Sequence, residues 1–143
     1  LAREHGCEHV IVTRDYRFAD AVQRLAGGAD VLIDGLGAQA RDENFAALAR
    51  RGHWISLGQA TGALDSVDAN ALVAKSITFS RPVVFDYVAT RAALQQRASR
   101  LWAAVADDSI KLPPIERHSL EAAAAAHARL ESRATSGALV LIA

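Results

Sequence analysis

Two short stretches, Asp34-Gly35-Leu36-Gly37 and Leu57-Gly58-Gln59, place glycine at the end of an apolar run. Glycine has no Cβ, so a ligand can approach the backbone closely there. Turns of this kind that close parallel strands lie at the sheet edge where ligands bind. The same glycines also serve simply to shape tight β-to-α turns, since neither stretch is a full Gly-x-Gly-x-x-Gly. Arg81-Pro82 follows a further apolar run. It reads either as a proline-stiffened segment lying over a ligand or as a strand terminator with a solvated arginine. Arg133 offers a planar donor fork suited to phosphate or carboxylate, or a charge that complements a helix dipole.

Other chemistries find less support. His5, His9, His53, His118 and His127 contain no i, i+4 pair and no His-Glu-x-x-His, and no cysteine stands at ligand spacing. Nothing in the residues around Cys7 marks it as an activated nucleophile. Ser56, Ser76 and Ser132 lack the Gly-x-Ser-x-Gly elbow of a hydrolase. The single cysteine excludes an internal disulfide framework and a multi-cysteine zinc site, and fits a reducing compartment. A formal net charge of zero gives no electrostatic reason for binding nucleic acid or an anionic membrane. No apolar stretch approaches the roughly 18 residues of a membrane span, and no charged-then-apolar leader opens the chain, so the cytoplasm is the expected location.

The elements that would position these residues alternate between strand and helix. Val10-Ile11-Val12-Thr13 reads as a short buried strand. Asp15 is the expected N-cap of a helix with Phe18, Val22 and Leu25 on one face, stopped by Gly27-Gly28. Val31-Leu32-Ile33 is the next strand. A helix from about Gln39 to Arg51, burying Ala46, Leu48 and Ala49, should end at Gly52. Trp54 to Leu57 is a strand, and a short apolar segment near Ala69 to Ala74 leads to another at Ser76 to Ser80. Leu94, Ala98, Leu101, Trp102 and Val105 form one stripe at helical period, with Thr90 as cap. Pro113-Pro114 breaks the chain, an alanine-rich helix follows from about Leu120 to Ser132, and Leu139 to Ile142 is a last strand. With 143 residues, about half of them apolar, the chain is one domain's worth of α/β structure: a parallel sheet covered by helices on both faces. Leu1 to Gly6 reads as the last turn of a helix closed by glycine, so a longer protein extending upstream is expected.

An ordered set of segments carries a resemblance. Gly6-Cys7-Glu8-His9-Val10-Ile11, Val31 to Gly37, Leu48 to Gly58, Lys75-Ser76-Ile77-Thr78, Arg81-Pro82, Tyr87, Ala126-His127 and Leu130 to Gly137 follow one another in fixed order. Together they resemble the quinone oxidoreductase (zeta-crystallin-like) branch of the medium-chain dehydrogenase/reductase superfamily, over essentially the whole chain. The resemblance implies a partial Rossmann domain (a doubly wound parallel sheet) lacking its first strands, plus a C-terminal helix and return strand. Residues 1–110 would be the partial NAD(P)-binding domain, and residues 111–143 a segment returning to a catalytic domain encoded upstream. It further implies a zinc-independent transfer of hydride from NADPH, with NADH left open, to a small quinone or alkenal. Homodimers, often formed through the sheet's last strand, are common in the branch.

By the same resemblance Leu36, Gly37, Leu57, Gly58 and Gln59 lie beside the cofactor, and Arg81, Pro82 and Val83 line its nicotinamide side. Arg133 reaches the cofactor or the substrate cleft. Thr13 stands where relatives often carry Tyr or His against the adenosine end, and Ala138 replaces a lysine that many members have. No residue is assigned as a catalytic acid or base, and none as a metal ligand. Alternatives are a non-catalytic fragment, a crystallin-like structural module, or an enoyl or alkenal reductase of the same superfamily. Pyrophosphate binding needs a glycine-rich turn at a helix N-terminus, which this chain lacks, so the isolated chain is expected to be inactive. In the strand order 3-2-1-4-5-6 the strand at Val10 would also be separated from that at Val31 by strands not present.

Overall fold

The computed structural model describes residues 1–132 and 134–143, which form two compact units, Leu1–Ala89 and Thr90–Ala143. The first opens with a hydrogen-bonded turn in which the Cys7 N–H donates to the Ala2 carbonyl across Gly6 at φ 86°, the glycine-closed turn expected there. Helix α1 (Ala19–Ala26) ends on Gly27 in the left-handed region at φ 68°. Strand β1 (Ala29–Asp34) follows, then a 3-10 turn (Ala38–Ala40), helix α2 (Arg41–Ala47) and strand β2 (Leu48–Ser56). Helix α3 (Ala69–Lys75), capped by the Asp68 carboxylate, strand β3 (Thr78–Ser80) and the short helix α4 (Val84–Tyr87) complete the unit.

The sheet is parallel, in the order β1-β2-β3. Its core is Leu48, Trp54 and Ile77, with Leu32, Phe45, Leu64, Val67, Leu72 and Phe79 packed against them. Phe45 and Phe79 each meet Trp54 edge-on at 5.1 Å, the arrangement the ring quadrupoles favour. This core lies on one sheet face. On the other, Val31 and Ile33 remain 59% and 68% exposed, so the two-sided cover expected from the sequence is met on one side only within this unit.

Several local expectations are corrected. Val10 to Thr13 forms no strand: β-branched residues favour extended backbone, but a strand exists only when a neighbour takes up its hydrogen bonds, and none does here. Asp15 does not cap α1. Its carboxylate accepts from the Arg17 N–H, while the Glu43 carboxylate of α2 accepts from Phe18 and Ala19 N–H, both at 2.8 Å. The second helix ends at Ala47, four residues before the expected Arg51, because Leu48 turns extended and pairs with Ala29. Residues 49–52 then bulge before His53 pairs with Val31, with Arg51 at φ 63°. Gly52 therefore serves the bulge rather than a helix end, and the buried face is Asn44, Ala47 and Leu48, with Ala46 exposed.

The second unit begins with α5 (Arg91–Ala106), whose N-terminus is capped by Thr90 through the Ala93 N–H at 3.1 Å. Its apolar stripe is not a core face: Leu94, Leu101 and Trp102 are exposed. Helical period predicts that a face exists, and tertiary structure decides what covers it. Strand β4 (Ile115–Ser119), a 3-10 turn (Leu120–Ala122), helix α6 (Ala123–Glu131) and strand β5 (Ala138–Ile142) follow. β4 was not anticipated, since Ile-Glu-Arg-His-Ser carries almost no apolar signal. It forms by parallel pairing with the apolar β5. Among the described residues no helix is long and apolar enough to cross a membrane.

Candidate functional site

The parallel register sets Asp34 beside Ser56, and Ile55 beside Ser80. The chain therefore leaves all three strands at one edge of the sheet. The turns carrying Gly37 and Gly58 meet there as the sequence led one to expect, and the Arg81-Pro82 segment joins them.

The two glycine turns are laced together by backbone and side-chain hydrogen bonds. Asp34, buried at the end of β1, organises both. Its Oδ1 accepts from the N–H groups of Leu36 (2.7 Å) and Gly37 (3.2 Å), and its carbonyl accepts from Leu57 (2.8 Å) and Gly58 (3.1 Å). The Ala60 N–H donates to Gly35 and the Thr61 N–H to Leu36, while the Thr61 hydroxyl donates to Leu36 and accepts from the Gln39 N–H. The Ala38 N–H closes the lattice on the Gly62 carbonyl.

The glycines are used by this lattice. A Cβ on Gly37, at φ 87°, would lie 2.5 Å from the Gly62 oxygen and 2.9 Å from the Gln59 Cα. One on Gly58 would lie 2.7 Å from the Gly35 oxygen. The missing side chains let one turn approach the other, while a Cβ on Gly35 would meet nothing within 4 Å. Because these turn N–H groups already have acceptors, they form no free nest for a phosphate.

Beside the turns lies a cavity of about 380 Å³ lined by Ser56, Leu57, Arg81, Pro82, Val83 and Val84. Leu57, Pro82, Val83 and Val84 give it apolar walls, and Ser56 and Arg81 a polar side. Arg81 is exposed, but its guanidinium is tied to protein acceptors. Its Nη1 donates to the buried Ser56 hydroxyl and its Nη2 to Gln59 Oε1, both at 3.1 Å, which ties the end of β3 to the turn after β2.

Leu36, Gly37, Leu57, Gly58, Gln59, Arg81, Pro82 and Val83 thus gather at one edge. Thr13 does not join them through any hydrogen bond: its hydroxyl donates to Asp15 Oδ1 at 2.7 Å, the largest cause holding the Asp15 carboxyl below its ordinary value. Arg133 lies outside the described residues. Sequence reasoning missed Asp34, Ser56 and Thr61 as organisers of the edge. An Asp closing an apolar strand before Gly-Leu-Gly was a usable signal for a side chain that accepts from the following turn, whereas Ser56 and Thr61 carried none. Among the described residues no group of three or more His, Cys, Asp or Glu is placed to hold a metal.

Three parallel strands whose glycine turns and cavity share the carboxyl edge define part of a Rossmann-type nucleotide-binding sheet. A sequence profile described as zinc-binding dehydrogenase matches residues 5–141. Quinone oxidoreductase 1 of Escherichia coli is 35% identical over 146 residues, covering 99% of this chain and 45% of that protein. The probable quinone oxidoreductase of Schizosaccharomyces pombe is 33% identical over 142 residues, covering 99% and 43%. The crystal structure of Escherichia coli quinone oxidoreductase complexed with NADPH superposes with a TM-score of 0.84 at 30% identity, over 99% of this chain and 45% of that one. The chain spans less than half the length of these relatives. It belongs to the zinc-binding dehydrogenase family, in the quinone oxidoreductase branch of the medium-chain dehydrogenase/reductase superfamily.

Proposed function

We propose that this chain is the carboxyl-terminal, cofactor-binding part of a zinc-independent NADPH-dependent oxidoreductase that reduces quinones. The observation that carries the reading is the shared carboxyl edge, where the Gly37 and Gly58 turns and Arg81-Pro82 border an apolar cavity. The likeness to an NADPH-bound relative supports it. When bound, the reduced nicotinamide supplies the hydride. The chain's own residues would orient and shield it: Leu36, Gly37, Leu57, Gly58 and Gln59 would lie beside it, and Arg81, Pro82 and Val83 would line its nicotinamide side. Because the turn N–H groups are engaged, the phosphates would be gripped by other residues. The single cysteine and the histidine spacings support a mechanism without zinc ligands from this half. A homodimer in the cytoplasm belongs to the same reading.

Two measurements test it. The 143-residue chain alone should bind NADPH no tighter than millimolar by fluorescence titration, and micromolar affinity would contradict the assignment of the phosphate grip to other residues. The enzyme with its upstream sequence should oxidise NADPH only when a quinone is present, and should keep that activity after dialysis against a chelator. Oxidation driven by enoyl thioesters and not by quinones would move the function to an enoyl reductase.

A further inference from the structure

We propose that Arg81 is a fixed, uncompensated positive charge that discriminates between the two redox states of the bound dinucleotide and favours the reduced one. The proposal rests on the reading of the cavity beside the glycine turns as the nicotinamide site.

Arg81 lines that cavity, of about 380 Å³, with Ser56, Leu57, Pro82, Val83 and Val84, and is the one ionisable side chain among these six. A guanidinium stays protonated across the ordinary pH range, so the wall carries a permanent charge. The groups that hold it are neutral. Nη1 donates to the Ser56 hydroxyl and Nη2 to the Gln59 amide oxygen, both at 3.1 Å. Among the described residues Arg81 forms no ion pair with a carboxylate. The ties therefore fix the position of the charge without cancelling it. Ser56 is fully buried at the end of β2, so the anchor belongs to the sheet itself. Leu57, Pro82, Val83 and Val84 bring no side-chain charge or dipole to offset it.

A dihydronicotinamide ring is neutral, its oxidised counterpart bears one positive charge, and the rest of the dinucleotide is the same in both. A cation held beside the ring acts on that difference: it repels the oxidised ring and leaves the reduced one nearly unaffected. Across a cavity of this size the Coulomb repulsion, discounted for an exposed guanidinium, amounts to about fivefold in affinity. The charge would thus help retain NADPH and release the oxidised product.

The test is equilibrium binding to the whole enzyme of three ligands: NADPH, NADP+, and the phosphorylated ADP-ribose that remains when the nicotinamide ring is removed. Wild type is compared with Arg81→Lys, Arg81→Met and Arg81→Gln. The ratio of the NADP+ Kd to the NADPH Kd should fall about fivefold in both neutral variants. In Arg81→Lys, which keeps the charge, it should stay within about twofold of wild type. The difference between wild type and the neutral variants should narrow at high salt. Affinity for the ringless fragment should be the same in all the proteins. Arg81→Gln retains a donor for Ser56 and so carries the test if Arg81→Met folds poorly. An unaltered ratio in the neutral variants, or an equal fall in Arg81→Lys, would overturn the proposal. Weaker binding of the ringless fragment by the neutral variants would place the charge at a phosphate, and would overturn it too. A wild-type enzyme that binds none of the three ligands would instead remove the functional reading, and the proposal with it.

Discussion

The Lys75 ammonium stands 2.7 Å from the carbonyl oxygen of Leu48, and donates also to Phe45 (2.9 Å) and Ala46 (3.0 Å). A lysine from the last turn of α3 thereby caps the carboxyl end of α2, where carbonyls lack intrahelical partners and the dipole favours a cation. Lys75→Met keeps the aliphatic stem and removes the donors. It should destabilise the first unit by about 1.5–3 kcal/mol, read as a lower urea midpoint with unchanged m-value.

The beginning of α1 depends in the same way on a distant side chain. Glu43 accepts from the Phe18 and Ala19 N–H groups, so Glu43→Ala removes a cap that the local sequence cannot replace. A loss of about 1 kcal/mol is expected, with faster amide hydrogen exchange in α1 than in β2. Glu43→Gln, which keeps an acceptor oxygen, should lose less.

Gly37 and Gly27 both have positive φ, yet they should respond differently to alanine. At Gly27 nothing lies within 4 Å of the new Cβ, whereas at Gly37 it meets backbone of the facing turn. Gly27→Ala should cost roughly 1 kcal/mol of backbone strain. Gly37→Ala adds an overpacking term of about 1–3 kcal/mol and should also lower NADPH affinity of the whole enzyme. Equal thermal shifts for the two variants would contradict the turn-against-turn packing.

Glu116 of β4 lies 2.6 Å from Arg129 Nε of α6 and 3.2 Å from His118 Nε2. The Arg129 hydrogen bond is the main cause holding the Glu116 carboxyl below its ordinary value of 4.5. A carboxyl depressed on folding stabilises the fold above its unfolded value, and that contribution disappears as pH falls through the lower folded value. The second unit should therefore lose stability below about pH 4.5 more steeply in wild type than in Glu116→Gln. Parallel acid-unfolding profiles for the two would exclude the linkage.

The two tryptophans offer an optical check. Trp54 is fully buried among Phe45 and Phe79, and Trp102 on α5 is 65% exposed. In the 143-residue chain, acrylamide should quench one emitting population readily and leave a blue-shifted one. Trp102→Phe should abolish the quenchable component.

Much of the fold was legible from short-range pattern. The apolar runs at Val31, Trp54 and Leu139, the Thr90 cap and the stop at Gly27 each report a local cause, a periodicity or a backbone angle, written in adjacent residues. The misreadings share a different origin. Asp15 was the better local cap, but Glu43, more than twenty residues away, holds the helix start. The pattern from Gln39 to Arg51 was helical throughout, but pairing of Leu48 with Ala29 and capping by Lys75 end the helix early. Val10 to Thr13 had strand residues without a strand partner, and Ile115 to Ser119 had a partner without strand residues.

The sequence alone determined the residue types at the candidate edge, the glycines that its close approach requires, and the ordered segments that mark the family, because each is a property of neighbours along the chain. The tertiary structure alone decided that Gly37 and Gly58 make room for one another's turns, that Arg81 grips Ser56 and Gln59, and that the Asp34 carbonyl holds the turn after β2. Those relationships join residues some twenty or more positions apart. They arise only when parallel pairing brings three strand ends to one edge, where hydrogen-bond satisfaction and steric exclusion act across space and not along the sequence.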